Sequence, residues 1–279
     1  AAIFNHCSSI DKYRAGFMLV SIDDLAAHLD DQDQVIVDCR FNLQQPEAGP
    51  RLYAEGHIPG AFYADLDRDL SGPKLPGLGR HPLPDVTGLQ KLLSGFGIGP
   101  ESRVVVYDEG GGAMAARLWW LLRWLGHAQV GLLDGGYGAW CTAGLPVSTV
   151  PPARRNGSFV ARPGCMPVVT TCDVEASLGT EQMLLLDLRA RERYLGRVEP
   201  IDPVAGHVPG AVHIPLGQLA ARAGELPADT PIMVICRSGN RSQEGRDILL
   251  AAGLTQVASV NGGSKAWRDA GLPYDGEII

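Results

Sequence analysis

The 279-residue sequence lacks the features that mark several large classes of protein. No apolar run approaches the roughly 18–20 residues of a membrane-spanning helix, so we expect no membrane partner. Basic residues are not in excess, because 24 Lys and Arg face 31 Asp and Glu for a formal net charge of −7. Nucleic acid is therefore not expected as the main partner. The sequence also has no metal-ligand constellation and no nucleotide-type phosphate loop, so neither a metal nor a cofactor is expected.

Disulfides are also not expected, although the sequence holds six cysteines. A chain of this size can build its core without such cross-links. One of the six, Cys39, lies within a predicted apolar strand, where a buried free thiol is the simplest interpretation. No signal-peptide pattern opens the sequence, so we expect a reducing, cytoplasmic location. We also expect a monomer.

The sequence does contain one series of motifs that occurs twice in the same order. The matching blocks are Val35–Arg40 with Leu184–Arg189, Gly56–Ala61 with Gly206–Ala211, Gly135–Trp140 with Gly262–Trp267, and Gly144–Pro146 with Gly271–Pro273. This repetition predicts two tandem copies of one domain, residues 1–147 and 168–279, joined by a Pro- and Gly-containing linker at 148–167. The first copy is the longer one, and we expect its extra chain between Ser71 and Pro100.

Short apolar runs alternate with helix-like segments in both copies. We predict strands at 34–38, 103–107, 130–133, 183–188, 232–235 and 257–260, and helices at 22–29, 114–125 and 242–252. Apolar β-rich runs separated by helices are typical of a parallel sheet covered on both faces, which predicts an α/β fold. Ligands of such sheets bind beyond the carboxyl ends of the strands, where a loop leads into a helix.

In the second copy, the loop that meets this description is Cys236-Arg-Ser-Gly-Asn-Arg-Ser242. Its cysteine directly follows a strand, so backbone N–H groups and the positive end of the next helix dipole should surround the sulfur. Arg237 and Arg241 add two positive charges. Such surroundings favour the thiolate form of a cysteine, and Cys236 is therefore the predicted nucleophile.

These blocks and this loop resemble the tandem-domain rhodanese family, which includes thiosulfate and 3-mercaptopyruvate sulfurtransferases. The resemblance runs from about Val20 to Pro273 and implies that each copy is an α/β domain with a central, mainly parallel sheet and helices on both faces. Cys236 to Arg241 matches the family's six-residue catalytic loop, which implies that Cys236 accepts sulfane sulfur as a persulfide. The residues that would bind the persulfide or the substrate are Arg237, Ser238, Gly239, Asn240, Arg241, Ser242 and Arg193.

The first copy departs from the catalytic pattern, because Asp108 follows its strand where Cys236 follows the strand of the second copy. Aspartate cannot carry a persulfide, so the first domain is predicted to be catalytically silent and to form one wall of a cleft. Phe41 matches a position where family members often have an aromatic side chain facing the cleft, with core packing as the alternative. His57 and His207 lie in duplicated segments, and a structural role is predicted for both.

The resemblance also bears on the sulfur donor, which we expect to be a small anion. Arg193 opens an Arg-Tyr-Leu-Gly segment similar to the one whose arginine faces the donor in the family. Members specialised for mercaptopyruvate have a second arginine nine positions later and a glycine after the cysteine, where this chain has Asp202 and Arg237. Because Asp202 would repel a carboxylate, we predict thiosulfate as the donor, with 3-mercaptopyruvate as the alternative. Cyanide or a thiol is the expected acceptor.

Two other functions are compatible with a reactive cysteine. Cysteine-based phosphatases and arsenate reductases can share this fold, but their catalytic loop has the pattern Cys-x5-Arg. In this chain only four residues separate Cys236 from Arg241. A loop one residue shorter should hold a single sulfur atom and exclude phosphate. A non-catalytic module for binding or sulfur relay is the other alternative, and a pure binding module would not need to retain the cysteine.

Overall fold

The computed structural model describes the chain in five stretches, residues 19–75, 78, 80–180, 183–200 and 202–276. The chain forms two compact units, one within Phe17–Gly72 and Leu83–Met166 and the other mainly within Pro167–Ile279. None of the helices in the described stretches is both long and apolar enough to cross a membrane.

The first unit contains a five-stranded parallel sheet and five α-helices among its described residues. Its strands are β1 (Leu19–Val20), β2 (Gln34–Asp38), β3 (Phe62–Tyr63), β4 (Arg103–Tyr107) and β5 (Val130–Leu133). Its helices are α1 (Ile22–Ala27), α2 (Ala48–Glu55), α3 (Val86–Gly95), α4 (Ala115–Trp124) and α5 (Gly136–Thr142). The strand order is β1-β5-β4-β2-β3, and every neighbouring pair is parallel.

Strands β2 and β4 lie in the interior of this sheet together with β5, and their central residues are apolar on both faces. They pair in register from Gln34 opposite Arg103 to Asp38 opposite Tyr107. All five residues of β2 are buried. Since successive side chains of a strand point to opposite faces, burial of all of them requires cover on both sides of the sheet.

The second unit repeats this plan with four parallel strands. Its strands are β6 (Leu184–Asp187), β7 (Val212–His213), β8 (Ile232–Ile235) and β9 (Val257–Ser259), in the order β7-β6-β8-β9. Its helices are α6 (Thr171–Ser177), α7 (Arg191–Tyr194), α8 (Leu216–Arg222), α9 (Asn240–Ala251) and α10 (Gly263–Asp269), with a 3-10 turn at Ala223–Glu225.

Alternate residues of the second sheet belong to two separate buried clusters. Leu185 of β6 and Met233 of β8 pack in one cluster together with Trp267 of α10. Leu186 and Val234, the next residues along the same strands, pack in the other cluster. Helices therefore cover both faces of this sheet, and the predicted α/β fold with parallel sheets is confirmed.

The duplicated sequence blocks make the same contacts in both units. At the end of β2, Asp38 Oδ2 and Arg40 Nη2 form a buried ion pair at 2.7 Å, and at the end of β6 Asp187 and Arg189 do the same at 2.7 Å. Each arginine also donates to the carbonyl of the glycine that opens its Gly-His-x-Pro-Gly-Ala block, at 2.6 and 2.7 Å. These contacts join each strand end to the next block along the chain. The motifs therefore recur because their residues stabilise the fold of each unit.

The extra chain of the first unit lies between β3 and α3. Residues 64–85 separate these two elements, whereas only residues 214–215 separate β7 from α8. The insertion therefore overlaps the first part of the range from Ser71 to Pro100 and precedes α3. The predicted linker at 148–167 hydrogen-bonds to the first unit, for example from Arg155 N–H to Gly95 O at 3.0 Å. The domain boundaries at 147 and 168 stay predictions.

Candidate active site

Cys236 is the first residue after β8, and the loop that follows it leads into α9. The cysteine is 2% exposed. Two amides of α10 fix the loop backbone from the opposite side: Ser264 N–H donates to the carbonyl of Cys236 at 2.8 Å, and Lys265 N–H donates to the carbonyl of Arg237 at 2.9 Å. The loop is therefore held between β8, α9 and α10, and its position follows from the packing of these three elements.

The sulfur of Cys236 contacts polar groups at the start of α9. Gly239 N–H donates to Sγ at 3.2 Å, and the hydroxyl oxygen of Ser242 lies 3.6 Å from Sγ. Gly239 has a left-handed backbone (φ 110°), which a residue with a Cβ rarely adopts. Ser242 is buried and lies 2.7 Å from the hydroxyl of Ser259 at the end of β9. An anionic sulfur here would be stabilised by an amide and by the positive end of the α9 dipole.

The side chain of Arg237 is held by Asp202. Its Nε donates to both carboxylate oxygens at 3.0 Å, and its Nη2 lies 2.9 Å from Oδ1. Arg193 also reaches Asp202, at 3.1 Å, and makes a tighter pair with Glu199 at 2.7 Å. Two of the three arginines that the sequence assigned to the substrate, Arg193 and Arg237, are thus brought near one another, but each is paired with a carboxylate.

Asp202 is therefore not a free negative charge, which corrects the premise that it would repel a carboxylate donor. A third arginine, Arg268 of α10, lies 2.7 Å from its Oδ2. Burial alone would raise the pKa of Asp202, but the guanidinium groups of Arg237, Arg268 and Arg193 hold that pKa below its ordinary value. The charge expected of Asp202 from sequence is present, but it is balanced inside the protein.

The remaining loop residues occupy the first turn of α9 or the approach to it. Arg241 and Ser238 are half-buried, and Arg241 forms no ion pair within the stretches that the structure describes. Its role in binding an anion stays a prediction. The side chain of Asn240 lies outside the described part of the chain. Within the described loop, the printed contacts of the sulfur are with Gly239 N–H and the Ser242 hydroxyl.

In the first unit, Asp108 stands where Cys236 stands in the second. The carbonyl of Asp108 accepts from Tyr137 N–H of α5 at 2.8 Å, just as the carbonyl of Cys236 accepts from Ser264 N–H of α10. The carboxylate of Asp108 accepts four backbone N–H groups, from Gly110, Gly112, Met114 and Ala115, at 2.9–3.3 Å. This loop therefore holds an anion that belongs to the protein and offers no nucleophilic sulfur.

The described stretches hold four other cysteines, Cys39, Cys141, Cys165 and Cys172, and the surroundings of Cys39 disfavour a thiolate. Cys39 is a buried free thiol, as expected, and its pKa is raised well above the ordinary value by burial and by the negative charges of Asp38 and Asp108. Cys141 and Cys172 are exposed free thiols. Cys7 lies outside the described stretches.

The two histidines predicted to lie outside the chemistry have clear structural contacts. His57 Nδ1 and His207 Nδ1 each lie 2.8 Å from a backbone carbonyl, and each ring stacks on a tyrosine. These contacts agree with the structural role expected for both. Phe41 is half-buried, and its position in a cleft stays a prediction. Among the described residues, no cluster of three or more His, Cys, Asp or Glu could hold a metal ion.

Sequence reasoning missed three members of the site: Ser259, Arg268 and Glu199. Ser259 ends β9 and Arg268 lies on α10, so neither is near the loop in sequence. Arg268 directly follows Trp267 of the duplicated block, where the first copy has Cys141, and this difference was the available signal.

Comparison with known proteins gives a consistent picture. Residues 21–143 and 170–270 match the family model for the rhodanese-like domain. The chain is 49% identical over 213 residues to a probable 3-mercaptopyruvate sulfurtransferase of Pseudomonas aeruginosa, covering 76% of this chain and 73% of that protein. It is 38% identical over 211 residues to the putative thiosulfate sulfurtransferase SseB of Mycobacterium tuberculosis, covering 75% and 74%. The crystal structure of the 3-mercaptopyruvate sulfotransferase SseA from Escherichia coli is similar at a TM-score of 0.71 and 27% identity, covering 89% of this chain and 99% of that one.

Proposed function

Because the chain belongs to the rhodanese-like family and is a sulfurtransferase, we propose that it carries the transferred sulfur on Cys236 as a persulfide. The observation that supports this most directly is the contact of Cys236 Sγ with Gly239 N–H at the start of the twelve-residue helix α9. A thiolate and a persulfide anion both gain from such a contact, since a hydrogen bond to a charged group is stronger than one to a neutral group.

The reaction consists of two displacements at sulfur. In the first, the thiolate of Cys236 attacks the transferable sulfur of the donor, which is the thiol sulfur of mercaptopyruvate or the outer sulfur of thiosulfate, and an S–S bond forms on the enzyme. The bond from that sulfur to the donor breaks, and its electron pair leaves with the donor remnant. In the second, cyanide or a thiolate attacks the terminal sulfur, the S–S bond breaks, and the thiolate of Cys236 is restored. No external oxidant or reductant is needed, because each step transfers a formally neutral sulfur atom.

For the donor, we favour 3-mercaptopyruvate, whose remnant is the enolate of pyruvate and becomes pyruvate on taking up a proton. The relative from Pseudomonas aeruginosa supports this choice. The charge argument for thiosulfate rested on a repulsive Asp202 and a free Arg237, but these two side chains neutralise each other. A donor with a single carboxylate is therefore not repelled by Asp202.

Thiosulfate is the second candidate, and its remnant would be sulfite. It is favoured by the three guanidinium groups that gather beside the loop, from Arg193, Arg237 and Arg268. The similarity to SseB, a putative thiosulfate sulfurtransferase, also favours thiosulfate. Transfer to a protein acceptor would fit either donor, and the cytoplasmic location and monomeric state stay predictions. The phosphatase and arsenate reductase alternatives are set aside, because the chain is a sulfurtransferase.

Intact-protein mass spectrometry after incubation with each donor tests the proposal. The wild-type protein should gain one sulfur atom, and addition of cyanide should remove it. Cys236→Ser should abolish the gain, whereas Cys172→Ser, at an exposed thiol, should retain it. A sulfur that remains on the Cys236→Ser protein would refute the assignment. Values of kcat/KM measured with both donors under identical conditions would decide between them, and a higher value for thiosulfate would overturn our choice.

A further inference from the structure

Asp202 lies at the centre of three arginines. Its carboxylate pairs with Arg237 at 2.9 Å, with Arg268 at 2.7 Å and with Arg193 at 3.1 Å. The contact with Arg237 includes two hydrogen bonds from Nε, whereas the contact with Arg268 is an ion pair. Glu199 completes the group by pairing with Arg193 and by accepting the backbone N–H of Asp202 at 3.1 Å. We refer to these five residues as the arginine cluster.

The arginine cluster is largely shielded from solvent. The side chains of Asp202, Glu199 and Arg268 are 4%, 5% and 6% exposed, and that of Arg193 is 11% exposed. Charges in such a setting are screened much less than surface charges. Three cations against two anions leave one net positive charge, so removal of a single carboxylate charge would double the net charge of the cluster.

The cluster is physically joined to the reactive loop. Arg237 directly follows Cys236 in the chain, so its pairing with Asp202 ties the cluster to the loop that carries the nucleophile. Arg268 lies on α10, whose Ser264 and Lys265 N–H groups hold the carbonyls of Cys236 and Arg237. An anionic donor that approaches Cys236 therefore meets the field of the whole cluster and not that of one arginine.

We propose that Asp202 is a positioning residue that sets the selectivity for the donor, acting as a built-in counter-anion of the arginine cluster. With Asp202 in place, the cluster presents one net positive charge, which matches a donor that carries one negative charge, such as a thiol-bearing 2-oxo acid. A dianion such as thiosulfate gains twice as much from each unit of positive charge, so it is the donor most weakened by Asp202. The inference rests on the proposed function, since it assumes that the donor reacts at Cys236.

The test replaces Asp202 by Asn, which keeps the shape of the side chain and removes its charge. The ratio of kcat/KM for thiosulfate to kcat/KM for mercaptopyruvate should rise by about tenfold, the order expected for one extra unit charge a few ångströms away in a partly screened site. Asp202→Glu should keep the wild-type ratio. Glu225→Gln is the matched control, because it changes the net charge of the chain equally at an exposed ion pair with Arg222. Equal changes for both donors, or the same rise in the control, would overturn the inference.

A second variant, for which the donor ratio should change in the opposite direction, distinguishes the electrostatic effect from a folding defect of Asp202→Asn. Arg268→Gln removes one cation from the same cluster and should lower the thiosulfate-to-mercaptopyruvate ratio, since the dianion loses more attraction. A loss of protein stability would affect both donors alike and would leave this ratio unchanged. A rise of the ratio in Arg268→Gln would contradict the proposal.

A readout that requires no sulfur transfer separates this inference from the proposed function. Sulfate and pyruvate, unreactive anions of charge two and one, should slow the alkylation of Cys236 by neutral iodoacetamide when they bind beside it. Asp202→Asn should strengthen protection by sulfate about tenfold more than protection by pyruvate. If neither donor ever loads Cys236 with sulfur, the proposed function fails, and the protection ratio still reports on Asp202. If sulfur transfer occurs but protection by both anions shifts equally, only the selectivity role fails.

Discussion

The duplicated fold allows one substitution to be tested with its own internal control. Gly263 opens α10 beneath the reactive loop with a left-handed backbone (φ 58°), and Gly136 opens α5 in the first unit with the same φ. A Cβ on Gly263 would clash with the carbonyl of Cys236 and lie 2.7 Å from the carbonyl carbon of Arg237. A Cβ on Gly136 would lie 2.5 Å from the carbonyl of Asp108. Both contacts involve backbone atoms, so the loop above must move.

The two substitutions should therefore have similar effects on stability and different effects on activity. A left-handed alanine costs roughly 1–2 kcal/mol, and displacement of the loop adds to that, so each variant should lose at least that much free energy of unfolding. In Gly263→Ala the displaced loop carries Cys236. Since a misplacement of about 1 Å can cost roughly 100-fold in rate, kcat/KM should fall by about that factor. In Gly136→Ala the displaced loop carries no nucleophile, and activity should stay near that of wild type.

Urea titration followed by fluorescence measures the first quantity, and the rate at which the intact mass gains one sulfur measures the second. The rates of sulfur gain should be compared at a urea concentration where both variants are fully folded. Loss of folded protein then does not lower the measured rate. An equal loss of activity in both variants would refute the assignment of the chemistry to the second unit alone. Full activity in Gly263→Ala would refute the claim that α10 fixes the loop.

Three further results are expected. Arg189→Met leaves the buried carboxylate of Asp187 without its cation and should lower the free energy of unfolding by about 3–5 kcal/mol in urea, and an unchanged midpoint would contradict that pairing. Ser259→Ala removes the hydroxyl next to Ser242 and should slow sulfur loading by about fivefold, since a buried hydrogen bond contributes about 1 kcal/mol. An equal loading rate would exclude the pair from the reaction. The pKa of Asp202 is lowered on folding, so its stabilisation is present above about pH 4 and is lost as pH falls through the lowered pKa. Asp202→Asn should therefore flatten the acid side of unfolding free energy against pH, and an identical slope would show that this carboxylate is not stabilised by folding.

The interior strands could be predicted from sequence because their side chains are buried on both faces. The strand predicted at 34–38 is β2, and the one predicted at 232–235 is β8, with the same bounds. The two-residue strands at the sheet edges were missed, since a pattern of two residues carries no periodicity. The short helices α5 and α10 were also missed, because each begins at a glycine pair that reads as a turn.

The site could be predicted only as far as it is contiguous. The loop from Cys236 to Ser242 is one segment, so its charge and its place before a helix are visible in the sequence. Ser259 and Arg268 reach the site by packing of β9 and α10, and nothing in their local sequence states which side chain they will meet. Asp202 shows the same limit in another form: the sequence gives the sign of its charge, but only the fold shows that three arginines neutralise it.

The two loops also indicate where the transferred sulfur should lie. In the first unit the charged oxygens of Asp108 are three bonds from Cα, and four backbone N–H groups hold them. The terminal sulfur of a persulfide on Cys236 would also be three bonds from Cα, whereas Sγ itself is only two bonds away. Within the described loop, Sγ accepts a single backbone N–H, from Gly239. We therefore expect the remaining amides of this turn to meet the outer sulfur, so that the loop binds the sulfur-loaded side chain more tightly than the bare cysteine.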